Sequence, residues 1–240
     1  MATTTLLSKH AVAEGTMAFT FAKPTGFESV AGQFIDITLV NPPETDAEGN
    51  TRAFSIVSAP QEDAITITTR MRDTAFKRVL GNMEPGTEVE ISDAMGSFTL
   101  HKNVDKAAIF LMGGVGITPT MGILRDAIAK QLPHKLFLFY SNRRPEDSAY
   151  LEELKSMGSK NPHYTFIGTM TEMDKSAQPW DGETGYITAD MVKKHVSDDI
   201  RASAIWYVSG PPAMVKAMRT VMTELGVDED NVKTEEFSGY

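Results

Sequence analysis

The chain contains no cysteine. That excludes disulfides, thiolate zinc sites, cysteine nucleophiles and any cysteine-ligated iron–sulfur cluster within it. Histidine is scarce and scattered, at His10, His101, His134, His163 and His195, so no metal site is expected. Positive charge is in deficit: 23 Lys plus Arg stand against 32 Asp plus Glu, a formal net charge of −9. Phosphate binding needs a basic face, so nucleic acid is not the expected partner. Long apolar runs are also missing. The longest, Ala107 to Ile117, is broken by Gly113, Gly114 and Gly116, and no membrane insertion is expected. Met1 to Gly15 lacks a basic stretch followed by an apolar core and does not read as a secretion signal. A cytoplasmic location is the resulting expectation.

What is present is ordinary globular material. Apolar residues make up 41% and charged residues 23% of 240, enough for one large domain or two small ones. The two parts differ in rhythm. Up to about residue 103, short runs rich in Val, Ile, Thr and Phe alternate with turn residues: Thr16–Lys23, Phe34–Val40, Arg52–Ser58, Ala64–Met71 and Glu88–Ser92. A helix interrupts near Thr74–Leu80. This spacing predicts a small antiparallel β-barrel or sandwich over residues 1–103.

From residue 104 onward the pattern becomes strand, helix, strand, helix. Strands are expected at Ala107–Met112, Leu136–Tyr140, Tyr164–Gly168, Ala204–Val208 and Val232–Glu235. Helices are expected at Ala149–Met157, Ala189–His195 and Pro211–Leu225, the last ended by Gly226. Thr118 suits an N-cap, with Pro119 at the first helical position. Such alternation predicts an α/β doubly wound parallel sheet over 104–240.

Three segments suit chemistry. In Arg52-Ala53-Phe54-Ser55-Ile56-Val57-Ser58, strand alternation puts Arg52, Phe54, Ile56 and Ser58 on one face. An arginine and a flat aromatic suit a phosphate and a planar ring. The same pattern also suits a plain barrel strand with a core Phe. Gly113-Gly114-Val115-Gly116-Ile117-Thr118-Pro119 follows a buried strand and opens a helix, a setting in which backbone N–H groups meet a pyrophosphate. It is not the full dinucleotide fingerprint, since Pro119 takes the place of the third Gly. Ser209-Gly210-Pro211-Pro212-Ala213-Met214 is a second small-residue turn after a parallel strand.

In order and spacing, Arg-x-Phe-Ser, Gly-x-Phe, Gly-Gly-x-Gly-Ile-Thr-Pro, Gly-Pro-Pro and a terminal Glu-Phe-x-Gly-Tyr resemble the ferredoxin–NADP reductase family over essentially the whole chain. The resemblance implies a flavin-binding barrel followed by an NAD(P)-binding domain, in a short form without an iron–sulfur domain. It implies an NAD(P)H-dependent flavin oxidoreductase, with FAD favoured over FMN. A hydride passes to the bound flavin, and electrons then pass to a separate acceptor such as ferredoxin, flavodoxin or an oxygenase component. A free-flavin reductase and a non-catalytic flavin- or nucleotide-sensing subunit are the alternatives.

Carried over to this chain, the resemblance implies that Arg52 contacts the flavin diphosphate, Phe54 lies on the isoalloxazine and Ser55 hydrogen-bonds near N5. Thr68, Thr69 and Arg70 would touch the ring edge and ribityl chain. Thr74, Ala75, Phe76 and Lys77 would hold phosphates. Gly114, Val115, Gly116, Ile117, Thr118 and Pro119 would form the nucleotide pyrophosphate turn, and Ser209, Gly210, Pro211 and Met214 would border the nicotinamide. Glu236 and Phe237 resemble the family's C-terminal acid and aromatic. With Ser55 and Ser209 they are the candidate catalytic residues. The family usually has Tyr where Phe54 stands and Cys where Ser209 stands.

The cofactor preference is read from Ser141-Asn142-Arg143-Arg144 after the second parallel strand. No acid stands at the strand end to take ribose hydroxyls, and two guanidinium groups suit a 2′-phosphate, which favours NADP(H) over NAD(H). Solvated arginines, with Asn142 alone reading the ribose, would permit NADH.

Overall fold

The computed structural model of the protein describes residues 1–237. They form two compact units, Met1–Thr99 with Thr118–Asp126, and Leu100–Ile117 with the residues from Ala127 onward.

The first unit carries β1 (Ala2–Ala13), β2 (Thr16–Ala22), β3 (Phe34–Leu39), β4 (Thr51–Ser55), β5 (Ala64–Arg70), α1 (Ala75–Asn82) and β6 (Glu88–Ile91). Its antiparallel sheet has the order β4-β3-β6-β1-β2-β5. Past the end of β4, Ile56 bridges Ile67 of β5 and Val57 N–H donates to Thr66 C=O at 2.8 Å. The two edges therefore meet and the sheet closes into a barrel, which leaves few unpaired edge groups. Alternation fills the interior: Phe19, Phe21, Ile35, Ile37, Ile65, Ile67, Val89 and Ile91 all face one core. The helix α1 lays Ala75, Phe76 and Leu80 on that core, and its N-cap Thr74 accepts from Lys77 N–H.

The second unit begins with β7 (Ala108–Gly113) and a 3₁₀ turn at Gly114–Gly116, after which the chain runs into α2 (Ile117–Ala129), whose residues Thr118–Asp126 belong to the first unit. The second unit continues through β8 (Leu136–Asn142), α3 (Leu151–Met157), β9 (Tyr164–Met170), β10 (Glu183–Thr184), α4 (Ala189–His195), α5 (Asp198–Ser203), β11 (Ile205–Gly210), α6 (Pro212–Glu224) and β12 (Val232–Glu236). Every strand pair is parallel, in the order β10-β9-β8-β7-β11-β12. Strand β7 is buried at every position, as a strand covered on both faces must be.

Two sequence expectations change here. Thr118 is not an N-cap. The chain already turns helically at Gly114, so Thr118 and Pro119 sit inside the first turn of α2. Pro119 is harmless there, because the first four N–H groups have no intrahelical acceptor. Strand β1 was not expected. Its burial is irregular, and register shifts between Leu6 and Ser8 and between Ala11 and Ala13 break the two-residue period. Among the described residues no helix is long and apolar enough to cross a membrane.

Candidate functional site

In the parallel sheet, β8, β9 and β10 follow β7 on one side, whereas β11 and β12 lie on its other side. The direction of winding reverses between β7 and β11. Ligands of such sheets bind at the carboxyl ends of the strands at that reversal. Both small-residue turns stand there. Gly113 and Gly116 leave no room for a side chain. A Cβ on Gly113 would run into Met214 Sδ, and one on Gly116 into the backbone of Ser209 and Gly210. Gly114 has φ of +53°, which glycine adopts without strain. Its carbonyl accepts from Tyr140 OH at 3.1 Å, which pins the turn.

Within that turn the candidates differ in access. Gly114 and Val115 are partly accessible, whereas Gly116, Ile117, Thr118 and Pro119 are buried. Any contribution of the buried four to a pyrophosphate site is therefore through backbone or helix polarity, for Pro119 has no N–H and the Ile117 N–H already donates to the Gly114 and Val115 carbonyls.

Polar atoms at these strand ends lack partners. Ser209 Oγ, Asn142 Nδ2 and Glu235 Oε2 are each buried without a hydrogen-bond partner among the described residues. They belong to the last two positions of β11, β8 and β12 respectively. Burial of an unsatisfied polar atom costs ~1–3 kcal/mol, so a cluster of such atoms fits a ligand that completes them.

The acid of this cluster is Glu235, whereas the sequence pattern pointed to Glu236. In register, Glu235 pairs with Ser209, while exposed Glu236 pairs with Gly210. Paired positions on parallel strands project to the same face. Burial pushes the Glu235 carboxyl up to about 7. The strand's alternation across Glu235-Glu236-Phe237 held this signal in the sequence. Phe237 N–H donates to Gly210 C=O at 3.2 Å and prolongs the pairing by one residue. The last three residues of the terminal Glu-Phe-x-Gly-Tyr motif lie outside the described residues.

At the end of β8, Arg143 is exposed and Arg144 is engaged. Arg144 Nε and a terminal nitrogen donate to the two oxygens of Asp147 at 2.9 and 3.0 Å. The 3₁₀ turn Pro145–Asp147 folds this acid back toward the arginine, a return that linear spacing does not reveal. Arg143 faces Glu172, whose carboxyl is held low first by Lys175 and in smaller part by Arg143.

On the barrel, Arg52 and Phe54 share a face, as alternation predicts. The Arg52 guanidinium lies over the Phe76 ring at 5.3 Å, and Phe54 packs on Phe76 with centroids 5.7 Å apart. Phe54 is thus largely a core residue. Ser55 Oγ is buried, with the residue 3% exposed, and has no partner among the described residues. Thr68 and Thr69 are buried, and Arg70 C=O accepts from Lys77 Nζ at 2.7 Å. The Lys77 ammonium is pushed down first by burial and then by Arg72, Arg52 and Arg70. In a chain of net charge −9 this is a local concentration of four cations at the start of α1. Ala75 and Phe76 are buried, so only their backbone is offered there.

Residues 110–220 match the oxidoreductase NAD-binding domain family. The chain is 28% identical over 226 residues to the glycine betaine monooxygenase reductase subunit of Chromohalobacter salexigens, covering 92% of this chain and 60% of that one. It is 25% identical over 201 residues to a subunit of the Na(+)-translocating NADH-quinone reductase of Neisseria meningitidis, covering 78% of this chain and 49% of the other. The chain thus spans about half the length of the curated relatives it matches. Its fold superposes on a ferredoxin NADP+ reductase from Neisseria gonorrhoeae with bound FAD and NADP at a TM-score of 0.79. That match has 19% identity and covers 98% of both chains. Residues 110–220 thus match the oxidoreductase NAD-binding domain, and the chain has the two-domain fold of that ferredoxin NADP+ reductase.

Proposed function

We propose that the barrel holds a flavin, FAD in preference to FMN, and that the parallel-sheet unit binds NAD(P)H, so that reducing equivalents pass through the flavin to a separate electron acceptor. The observation that carries this reading is the pair of buried hydroxyls Ser55 Oγ and Ser209 Oγ, neither of which has a partner among the described residues. Each falls where the family's pattern puts a residue against the flavin or the nicotinamide. A bound flavin supplies the exchange between a two-electron hydride and single electrons.

The chain's own residues bind and orient. Ser55 Oγ is free to hydrogen-bond a ring nitrogen, and the cations around Thr74 and Lys77 suit phosphate. The partly accessible turn at Gly114 and Val115 suits a pyrophosphate. Ser209 and Glu235 flank the position for a nicotinamide carboxamide. The acceptor we propose is a protein such as a ferredoxin, a flavodoxin or an oxygenase component, in keeping with the oxygenase reductase among its relatives.

Purified protein tests the reading directly. The expected result is a yellow colour that survives gel filtration and bleaches anaerobically on adding NADPH or NADH. A flavin that washes off but is still reduced in solution would favour a free-flavin reductase. Bound flavin that neither nucleotide bleaches would leave only a sensing subunit.

For the cofactor we propose NADP(H), with Arg143 as the contact to the 2′-phosphate, because Asp147 already occupies Arg144. Arg143→Ala is expected to lower kcat/KM for NADPH about tenfold, corresponding to ~1.4 kcal/mol, and to spare NADH. Arg144→Ala should affect both cofactors alike, through the turn it holds. Wild-type protein that prefers NADH, or equal losses for both cofactors in Arg143→Ala, would refute the assignment.

A further inference from the structure

The seat assigned to the flavin phosphates already holds an anion from the chain itself. Arg52 is bound on nearly every side by the segment that precedes it. One terminal nitrogen donates to the carbonyls of Glu48, Gly49 and Thr51 at 2.9, 3.2 and 2.7 Å. The other meets the carboxylates of Glu48 and Asp46 at 2.9 and 3.3 Å. The second oxygen of Asp46 accepts from Ala75 N–H, the first residue of α1, at 3.3 Å. A single carboxylate thus bridges a guanidinium and a helix N-terminus, the donor pair that a phosphate would use. Two residues earlier, Glu44 forms a forked pair with Arg78 of α1 at 2.9 and 2.6 Å. Glu44 and Asp46 therefore contact α1 and Glu48 contacts Arg52, beside a helix start where Arg52, Arg70, Arg72 and Lys77 gather.

We propose that Asp46 and Glu48 are affinity-setting residues for the flavin: an internal anion that occupies the phosphate seat and must be displaced before a phosphorylated flavin binds. The inference rests on the flavin reading above and adds a competitor to it. A phosphate takes over Arg52 and the Ala75 N–H, and the segment 44–49 turns its carboxylates to solvent. Flavin residence is then set by the difference between two anions on one cation. Neutralising the internal anion removes the competitor and leaves Arg52 and α1 in place. Riboflavin carries no phosphate and does not compete.

The test is equilibrium binding of riboflavin, FMN and FAD, followed by flavin fluorescence, to flavin-free wild type, Asp46→Asn, Glu48→Gln and Arg52→Ala. Asp46→Asn is expected to bind FMN and FAD roughly three- to tenfold more tightly, with slower release and riboflavin unchanged. Glu48→Gln should show a smaller gain in the same direction. Its side chain is largely exposed, so it keeps the test open should Asp46→Asn fold poorly. Arg52→Ala should weaken FMN and FAD. If Arg52→Ala weakens both but the neutralised variants bind them no better, or gain riboflavin equally, the phosphate seat stands and the internal competitor is refuted. If Arg52→Ala leaves all three affinities unchanged, or wild type binds no flavin, the seat itself is misplaced and the proposal falls with it.

Discussion

Ser209→Ala is expected to make the ligand-free protein more stable and the reductase slower. Ser209 is fully buried, and its hydroxyl has no partner among the described residues. A buried hydroxyl without a partner destabilises the fold by ~1–3 kcal/mol, and turning the hydroxymethyl side chain into a methyl removes that deficit with little change of volume. Catalysis should move the other way. If the hydroxyl completes its hydrogen bond only with nicotinamide in place, its loss should slow hydride transfer roughly ten- to a hundredfold, corresponding to ~1.4–2.8 kcal/mol. Ser55→Ala should behave likewise, for Ser55 Oγ is orphaned in the same sense on the barrel. Thermal melts of flavin-free protein and stopped-flow bleaching by NADPH read the two effects separately. A variant less stable than wild type with unchanged bleaching would mean that the hydroxyl is structural and that the site reading is wrong at this residue.

The roles proposed for these serines come from the family resemblance; what the structure adds is that both hydroxyls are buried without a partner among the described residues. Arg52 and Phe54 announced themselves by alternation, and the glycines of the first parallel turn by their place between a buried strand and a helix. The partners of Arg52 and Arg144 were not legible. Asp46 reaches Arg52 through an irregular segment, and Asp147 reaches Arg144 through a 3₁₀ turn, so neither follows a fixed period. Strand β1 escaped for the opposite reason. It has a regular partner on each side, β2 and β6, but its bulges and Thr-rich composition erase the apolar alternation by which strands are recognised. Glu235 and Glu236 illustrate the limit most sharply. Two adjacent acids are equivalent in a motif, and only the register against Ser209 and Gly210 separates a half-buried carboxyl from a solvated one.

That separation supplies the second expected result. Glu235→Gln should stabilise the protein at pH 8, leave it unchanged near pH 4, and remove a pH dependence near neutrality. Burial raises the folded-state carboxyl from the ordinary 4.5 to about 7. Between those values the folded chain holds a proton that the unfolded chain has released. Stability from this group is therefore fully present below about pH 4.5. It falls as pH rises toward 7, and above that the deficit is constant. Glutamine mimics the protonated acid, so the variant escapes the deficit by about 1–3 kcal/mol at pH 8, a rise in Tm of several degrees for a chain of this size. Nicotinamide binding adds a second reading. If Glu235 meets the nicotinamide in one protonation state, kcat/KM for NAD(P)H should show a limb near pH 7 in wild type that is absent in Glu235→Gln. Glu236→Gln, on the exposed side of the same strand, should change neither the melt nor the limb. A Tm difference for Glu235→Gln that is the same at pH 4.5 and pH 8 would show that the carboxyl titrates normally. A rate limb that vanished with Glu236→Gln instead would return the functional role to the neighbouring acid.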